Sequence, residues 1–132
     1  MKQTHHSSIA EKINEFIKEL PLETYQGRTA MRVAIANILV LDEKQQDYGP
    51  YNICGNPHPE LGVAFRAGDK IQRLMNLFLE DGGNPKHESI ADSWMDLSNY
   101  GTIGSMLHTG IWLESDNIGK SNEKENKNNS SR

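Results

Sequence analysis

Residues 63–107 read VAFRAGDKIQRLMNLFLEDGGNPKHESIADSWMDLSNYGTIGSML. This stretch decides the fold because it contains two helical patterns separated by the turn-forming sequence DGGNP at residues 81–85. The first pattern has one apolar stripe at helical spacing, composed of Val63, Ala67, Ile71, Leu74 and Phe78. Its charged residues follow a second stripe, composed of Arg66, Asp69, Arg73 and, at the border, Lys70.

The second pattern separates into two faces, taking ~100° per residue around a helix. One face contains Ile90, Trp94, Leu97, Gly101 and Gly104. The opposite face contains Glu88, Asp92 and Asn99, with Asp96 beside them, and continues into Ile103 and Leu107. The pattern therefore predicts a helix that is buried on both sides. Carboxylates on such a helix must be paired, hydrogen-bonded or bound to a cation, because an isolated buried charge is costly.

The acidic residues of this helix have two interpretations. Glu88 and Asp92 are four residues apart, so both project from one side of successive turns and can bind a hard cation, and Asp96 extends this column. Alternatively, they form an interhelical salt-bridge network with the basic residues of the first pattern, which are Arg66, Lys70 and Arg73. Helical spacing alone leaves both interpretations open.

Helical periodicity continues through most of the chain and predicts an all-α fold, a small bundle of about four helices. The helices are predicted near residues 9–20, 29–46, 61–80 and 86–113. Ser8 and Thr29 are the expected N-caps of the first two. A strand is the alternative for residues 35–41, but the Ala, Met and Leu content favours a central helix.

Composition indicates the domain organisation and excludes some partners. Residues 1–114 are predicted to form a single domain, and the polar residues 115–132 a disordered tail. The formal net charge of −4 argues against nucleic acid as the main partner. No apolar run is long enough to span a membrane, and Cys54 is the single cysteine. We therefore expect a cytoplasmic protein without a membrane partner.

Residues 48–60, YGPYNICGNPHPE, contain three prolines and two glycines, which predicts a loop. Loops on a helical scaffold often contact ligands, so Tyr48 and Tyr51 are candidates for stacking on an aromatic ligand. The alternative is a connecting loop whose tyrosines pack against the bundle.

Three segments of the chain resemble a known family when they are taken together. A K-x-x-D-Y-G segment is formed by Lys44, Asp47, Tyr48 and Gly49. An R-x-x-D-K-x-x-R-x-x-N-L segment is formed by Arg66, Asp69, Lys70, Arg73, Asn76 and Leu77. An E-S-x-x-D-S-x-x-D-L-x-N-Y segment is formed by Glu88, Ser89, Asp92, Ser93, Asp96, Leu97, Asn99 and Tyr100. Over residues 41–107 this order resembles the phage and bacterial family called nucleotide modification associated domain 1, in which Thr is usual at the position of Ser93.

The family pattern is in turn similar to the MazG-like all-α nucleotide pyrophosphohydrolases, in which acidic residues on adjacent helices hold Mg²⁺ against a nucleoside triphosphate. The resemblance implies a Mg²⁺-dependent enzyme, with Mn²⁺ as an alternative ion. It would convert a (deoxy)nucleoside triphosphate to the monophosphate and pyrophosphate in phage or bacterial nucleotide metabolism, in the host cytoplasm if phage-encoded.

The resemblance also implies roles for individual residues. The implied metal ligands are Glu88, Asp92, Asp96 and Asp47. The implied catalytic residues are Asp69 and Lys70. The implied substrate-binding residues are Lys44, Tyr48, Tyr51, Arg66, Arg73 and Asn99. Those enzymes usually carry E-x-x-E or E-x-x-D on the preceding helix, and this chain has no E-x-x-E there, so Asp47 or Asp69 would have to substitute.

Two other functions fit the same residues. A noncatalytic nucleotide-binding protein, for example a phage factor that sequesters a signalling nucleotide, would use the cations and tyrosines without a metal. A helical interaction subunit would use the charged columns only as salt bridges. We also expect a homodimer or higher homo-oligomer, because three nearly all-round apolar helices offer more hydrophobic surface than one small domain covers.

Overall fold

The structure is a computed structural model that describes residues 8–80 and 88–114. These residues form four α-helices and no strand. The helices are α1 (Ile9–Glu19), α2 (Tyr25–Tyr48), α3 (Pro59–Leu79) and α4 (Ile90–His108). The all-α prediction is confirmed, and the strand alternative for residues 35–41 is wrong because they lie within α2.

The chain divides into two compact units, residues 1–40 and 41–132, and the boundary falls inside α2. The first unit contains α1 and most of α2. The second contains the last two turns of α2, the loop that follows it, α3 and α4. The single domain over residues 1–114 stays a prediction.

In the first unit, α1 begins with a reciprocal cap, as its sequence predicts. The Ser8 hydroxyl accepts the Glu11 backbone N–H at 3.2 Å, and the Glu11 carboxylate accepts the Ser8 N–H at 3.1 Å. Ile17 is the buried residue of α1. Asn14 accepts a hydrogen bond of 3.0 Å from Nε of Arg32, which joins α1 to α2.

Two helices begin at residues other than the predicted ones. α2 begins before Thr29, because the Thr24 hydroxyl accepts a backbone N–H of the first turn at 2.9 Å and satisfies one of its free donors. Glu88 lies before α4, although the predicted fourth helix included it. Ser89 is the N-cap instead, and its hydroxyl accepts the Asp92 N–H at 3.0 Å.

The C-terminal end of α4 is set by a glycine that the sequence reasoning did not use. Gly110 has φ of 72°, a left-handed conformation that suits glycine. Its N–H donates to the Leu107 carbonyl at 3.2 Å, and the Ile111 N–H donates to the Met106 carbonyl at 2.9 Å. These two bonds form a Schellman motif, which explains why α4 ends before residue 113.

The second unit is organised by the packing of α3 against α4. Its apolar cluster consists of Ile53, Val63 and Ile103, with Leu41, Tyr100, Leu107 and Trp112 packed against it. The other buried residues of the two helices are Leu74 and Leu77 on α3 and Ser93 and Asn99 on α4. Helical spacing places Lys70 of α3 and Asp96 of α4 on these packed stripes. The interface therefore has apolar residues at its ends and charged residues near its middle.

Three burial predictions are wrong for the described residues. α4 is not buried on both sides, since Trp94 is 55% exposed and the packed face contains Ser93 and Asp96. On α3, Ile71 and Phe78 are about half exposed, because the packed stripe is rotated toward Lys70. The burial expected for the apolar run of α2 is not seen, since none of its residues is buried.

Some predictions fall outside the described residues. These are the disordered tail over residues 115–132 and the start of the fourth helix at residues 86 and 87. Within residues 8–80 and 88–114, no helix combines the length and apolar character needed to cross a membrane.

The core position of Ile103 predicts a large effect of truncation. Ile103→Ala should lower the free energy of unfolding by about 2–4 kcal/mol, because the methyl groups removed from the Ile53 and Val63 contact leave a cavity. Ile111→Ala is the matched control, since Ile111 is half exposed, and should cost less than about 1 kcal/mol. Urea unfolding followed by circular dichroism measures both. Equal losses in the two variants would contradict the assigned core.

Candidate functional site

A cavity of about 540 Å³ opens in the second unit and contains residues from all three motif segments. Its lining consists of Leu41, Lys44, Gln45, Tyr48, Asn52, Ile53, Arg66, Asp96, Asn99, Tyr100 and Ile103. This volume lies in the range of ligand pockets, roughly 300–1,000 Å³. We take this cavity as the candidate functional site.

Helical periodicity explains how separate parts of the chain converge on the cavity. The end of α2 contributes one face, on which Leu41, Lys44 and Tyr48 follow each other at intervals of three and four residues. α4 contributes a face that runs from Asp96 to Ile103. α3 contributes a single side chain, Arg66, and the loop after α2 completes the lining.

The loop that lines the cavity is fixed by polar contacts near its start, at residues 49–52. The Gln45 side-chain amide donates to the Gly49 carbonyl and, at 3.3 Å, to the Asn52 side-chain oxygen. The Trp112 indole N–H donates to the Pro50 carbonyl at 3.1 Å. Gly49 has φ of 75°, which permits the chain to turn sharply out of α2. The predicted irregular loop is confirmed, and its anchoring holds Asn52 at the cavity.

A chain of ion pairs runs from the cavity into the interface between α3 and α4. The ammonium of Lys70 lies 2.7 Å from Oε2 of Glu88 and 2.9 Å from Oδ2 of Asp96. The other carboxylate oxygen of Asp96 lies 3.3 Å from the ammonium of Lys44. The side chains of Lys70 and Asp96 are only 20% and 15% exposed, so water screens this pair less than a surface pair. Lys70 therefore joins the two carboxylates that would otherwise repel each other.

The ion pairs change the protonation behaviour of their members. Burial favours the neutral acid of Asp96, but its hydrogen bonds, from Lys70 above all, outweigh burial and lower the pKa of the carboxyl below its usual range. Burial likewise disfavours the charged form of Lys70, but the hydrogen bonds to Glu88 and Asp96 outweigh it and raise the pKa of the ammonium. Both groups are therefore held in their charged forms near neutral pH.

Arg73 strengthens the same interface without facing the cavity. Its guanidinium donates to the Ser93 hydroxyl at 2.6 Å and to the backbone carbonyl of Glu88. Ser93 is fully buried, so this hydrogen bond lies inside the interface. Arg73 thus holds the segment before α4 against α3. The described contacts of Arg73 are structural, whereas the resemblance implied that it binds substrate.

The cavity brings together five of the residues implied by the resemblance, namely Lys44, Tyr48, Arg66, Asp96 and Asn99. Lys70 lies beside the cavity because it forms an ion pair with Asp96. Glu88 lies next to Lys70, with which it forms a second ion pair. The remaining implied residues do not line it, and four of them are exposed, namely Asp47, Tyr51, Asp69 and Asp92.

The expected metal ligands are not assembled into a centre. Within the described ranges, no group of three or more His, Cys, Asp or Glu side chains is placed to hold a metal ion. Asp92 is exposed, and the ammonium of Lys70 lies within 2.9 Å of both Glu88 and Asp96. For Glu88 and Asp96, the described contacts therefore agree with the interpretation of these acids as members of an interhelical salt-bridge network. The donor set as arranged does not fit Mg²⁺ or Mn²⁺, because a positive charge already lies between its two converging carboxylates.

Three polar residues of the cavity were not among the implied site residues. Gln45 and Asn52 have ordinary polar side chains in a charged helix end and a loop, so nothing in their spacing distinguished them. Tyr100 belongs to the third motif segment, and its position one residue after Asn99 could have indicated it.

Comparison with family models, curated proteins and solved structures finds no match to this chain. The family resemblance therefore stays a hypothesis that rests on the motif residues alone.

The buried position of Lys70 predicts that its removal is costly at neutral pH. Lys70→Met should lower the free energy of unfolding by about 1–3 kcal/mol, because Glu88 and Asp96 lose their shared partner. Lys18→Met removes an exposed ion pair with Glu15 and should cost less than about 1 kcal/mol. Chemical unfolding at pH 7 compares the two variants. A loss for Lys70→Met no larger than that of the control would contradict the role of this ion pair.

The lowered pKa of Asp96 gives this loss a pH dependence. An acid whose folded pKa is depressed stabilises the fold above its unfolded pKa, about 3.9, and loses that contribution as pH falls through the folded pKa. The stability difference between the wild type and Lys70→Met should therefore be constant near neutrality and shrink below about pH 4. Unfolding curves from pH 3 to 7 measure it, and a difference that grows in acid would contradict the assignment.

Proposed function

We propose that this protein binds a nucleotide in the cavity and does so without catalysis. The observation that supports the proposal is that the cavity gathers two cationic side chains, two tyrosines and three side-chain amides in one space of about 540 Å³. Phosphate, aromatic base and sugar hydroxyls are the three kinds of group that such a lining recognises.

The phosphate would bind at the cationic side of the cavity. Lys44 is about half exposed and keeps a single ion pair, with Asp96. Arg66 is exposed and forms no salt bridge with another described residue. Both can therefore turn toward a phosphate without leaving a buried carboxylate unpaired, because Lys70 remains on Asp96.

The base and sugar would bind at the tyrosines and amides. Tyr48 and Tyr100 offer flat aromatic surfaces for stacking on a base. Asn52 is positioned by Gln45, and Asn99 is a buried residue of the lining. Amide groups can both donate and accept, so they can pair with the polar edge of a base or with ribose hydroxyls.

A second candidate is the Mg²⁺-dependent pyrophosphohydrolase that the resemblance implies. The observation that favours it is that the carboxylates of Glu88 and Asp96 converge on one point, the position of the Lys70 ammonium. This candidate requires Lys70 to leave that position when an ion binds. Release of pyrophosphate from a nucleoside triphosphate would distinguish hydrolysis from binding alone, and a chain that binds no nucleotide would instead fit the interaction subunit.

We also propose a homodimer formed by the outer face of α3. Leu61, Phe65, Ile71 and Met75 are each half or more exposed on the isolated chain. They lie symmetrically about Gly68, with Phe65 and Ile71 three residues to either side and Leu61 and Met75 seven. A Cβ at Gly68 would meet no atom within 4 Å. A second copy crossing antiparallel at Gly68 would pair Phe65 with Ile71 of its partner, as a two-fold interface requires.

The ligand proposal predicts which cations matter. Lys44→Gln and Arg66→Gln should each weaken nucleotide binding by roughly 10- to 100-fold, the effect of losing one charge-assisted hydrogen bond to phosphate. Isothermal titration calorimetry with a panel of nucleotides measures the dissociation constants. Lys18→Gln removes a lysine that does not line the cavity and should leave them unchanged. Equal weakening by all three variants would contradict the site.

The dimer proposal predicts that a charge introduced at Phe65 prevents association of the two copies. Phe65→Asp should convert a dimer to a monomer with its helical content retained, because a carboxylate would be buried against the partner helix. Phe16→Asp changes a phenylalanine of α1 that is also more than half exposed, and should leave the dimer intact. Sedimentation velocity at micromolar concentration measures the state. A monomeric wild type, or dissociation caused by Phe16→Asp, would contradict this interface.

A further inference from the structure

The charges around the cavity restrict the kind of nucleotide that it can hold. Among the lining residues, Lys44 and Arg66 are cationic and Asp96 is anionic. Lys70 lies just outside the lining and offsets Asp96, but it is shared with Glu88. The positive charge available to a ligand is therefore that of Lys44 and Arg66, which matches the roughly −1.5 to −2 charge of one phosphate monoester near neutral pH.

A polyphosphate fits the same surroundings poorly. Each further phosphate adds negative charge, whereas the described lining contains two cations, Lys44 and Arg66, and the carboxylate of Asp96 beside Lys44. That carboxylate is held ionised between Lys44 and Lys70, so it cannot accept a proton readily to reduce the repulsion. A second, smaller recess also borders Arg66, Asn52 and Ile53, and its volume is only about 40 Å³. This recess has room for a few water molecules but adds little space for a chain of phosphates.

A metal ion does not relieve this mismatch in the described arrangement. A triphosphate is usually bound with a divalent ion that lies between carboxylates and phosphate oxygens. Here the two converging carboxylates, Glu88 and Asp96, are already bridged by the ammonium of Lys70. The cations that face the cavity are thus side chains of the protein, and they are present whether or not a divalent ion is supplied.

On these grounds we infer that the ligand of the cavity is a nucleoside monophosphate, bound without a metal ion, and that Asp96 excludes the triphosphate. This inference rests on the proposed nucleotide site and specifies its ligand class. Asp96 acts here as a specificity-determining residue: its pairing with Lys44 and Lys70 is compatible with one phosphate and repels longer chains.

The test measures affinity by calorimetry for the four common ribonucleoside 5′-monophosphates and for the matching triphosphates. Each is titrated in EDTA and again in Mg²⁺, and the Mg²⁺ arm uses triphosphates with a methylene bridge between the α- and β-phosphorus atoms, so that no pyrophosphate is released. We expect at least one monophosphate to bind ~10-fold or more tightly than its triphosphate, with little effect of Mg²⁺. Equal or tighter binding of the triphosphate in either arm overturns the inference and leaves the nucleotide site standing. No binding of either class overturns both.

The variant Asp96→Asn tests the residue that carries the selectivity. It keeps the shape of the side chain and removes its charge, so triphosphate binding should improve relative to monophosphate binding and the preference should fall by several-fold or more. Asp42→Asn is the matched control, because Asp42 is exposed on α2 and does not line the cavity, and it should leave the preference unchanged. Since Asp96→Asn also weakens a partly buried ion pair, circular dichroism must first show that the variant is folded at the titration temperature.

If Asp96→Asn is unfolded, the variant Lys44→Gln provides a second test. It should weaken monophosphate binding more than the binding of the unphosphorylated nucleoside. An unchanged preference in folded Asp96→Asn, or equal weakening of nucleotide and nucleoside by Lys44→Gln, overturns the inference.

Discussion

The second unit depends on one cation, the ammonium of Lys70, that lies between two carboxylates. Glu88 precedes α4 and Asp96 lies nearly two turns into it, so a single side chain of α3 contacts both the segment before the neighbouring helix and the helix itself. Replacing Lys70 with an apolar residue would leave two negative charges at the interface. Keeping it fixes the register in which α3 and α4 pack, because only one pairing of the helices brings Lys70 to both acids.

That register also determines what the cavity contains. With Lys70 opposite Asp96, the antiparallel arrangement brings Val63 to Ile103, and Arg66, one turn of α3 away from Lys70, lines the cavity. Asp96 then has one oxygen toward the interior and one toward Lys44 at the end of α2. The same carboxylate is therefore part of the packing and part of the proposed binding site. A group with both roles constrains the ligand, since it cannot move away from an added negative charge without disturbing the helix interface.

Most of the helices could be predicted from local signals in the sequence, whereas the faces on which they pack could not. The capping box at Ser8 and the prolines and glycines after Tyr48 act within a few residues, so their sequence pattern is sufficient. Burial of both faces of α4 was wrongly predicted because Trp94 was counted as a buried residue, whereas Ser93 is the residue that Arg73 binds and that is buried. The choice between a metal ion and an ammonium depends on where Lys70 points, and helical spacing does not contain that information. The cavity residues Gln45 and Asn52 were missed for the same reason, since their role comes from tertiary contacts.

The central claim is that the cavity formed by the end of α2, the following loop and α4 binds the ligand. The most direct measurement is a ¹⁵N-resolved NMR titration of the full chain with the tightest-binding of the four common ribonucleoside monophosphates. The account predicts the largest shifts in the side-chain amides of Gln45, Asn52 and Asn99 and in the backbone of Tyr100, all of which line the cavity. It predicts no shift for α1, whose residues do not line it. Saturable shifts confined to α1 or to the outer face of α3, with the cavity amides unmoved, would contradict it.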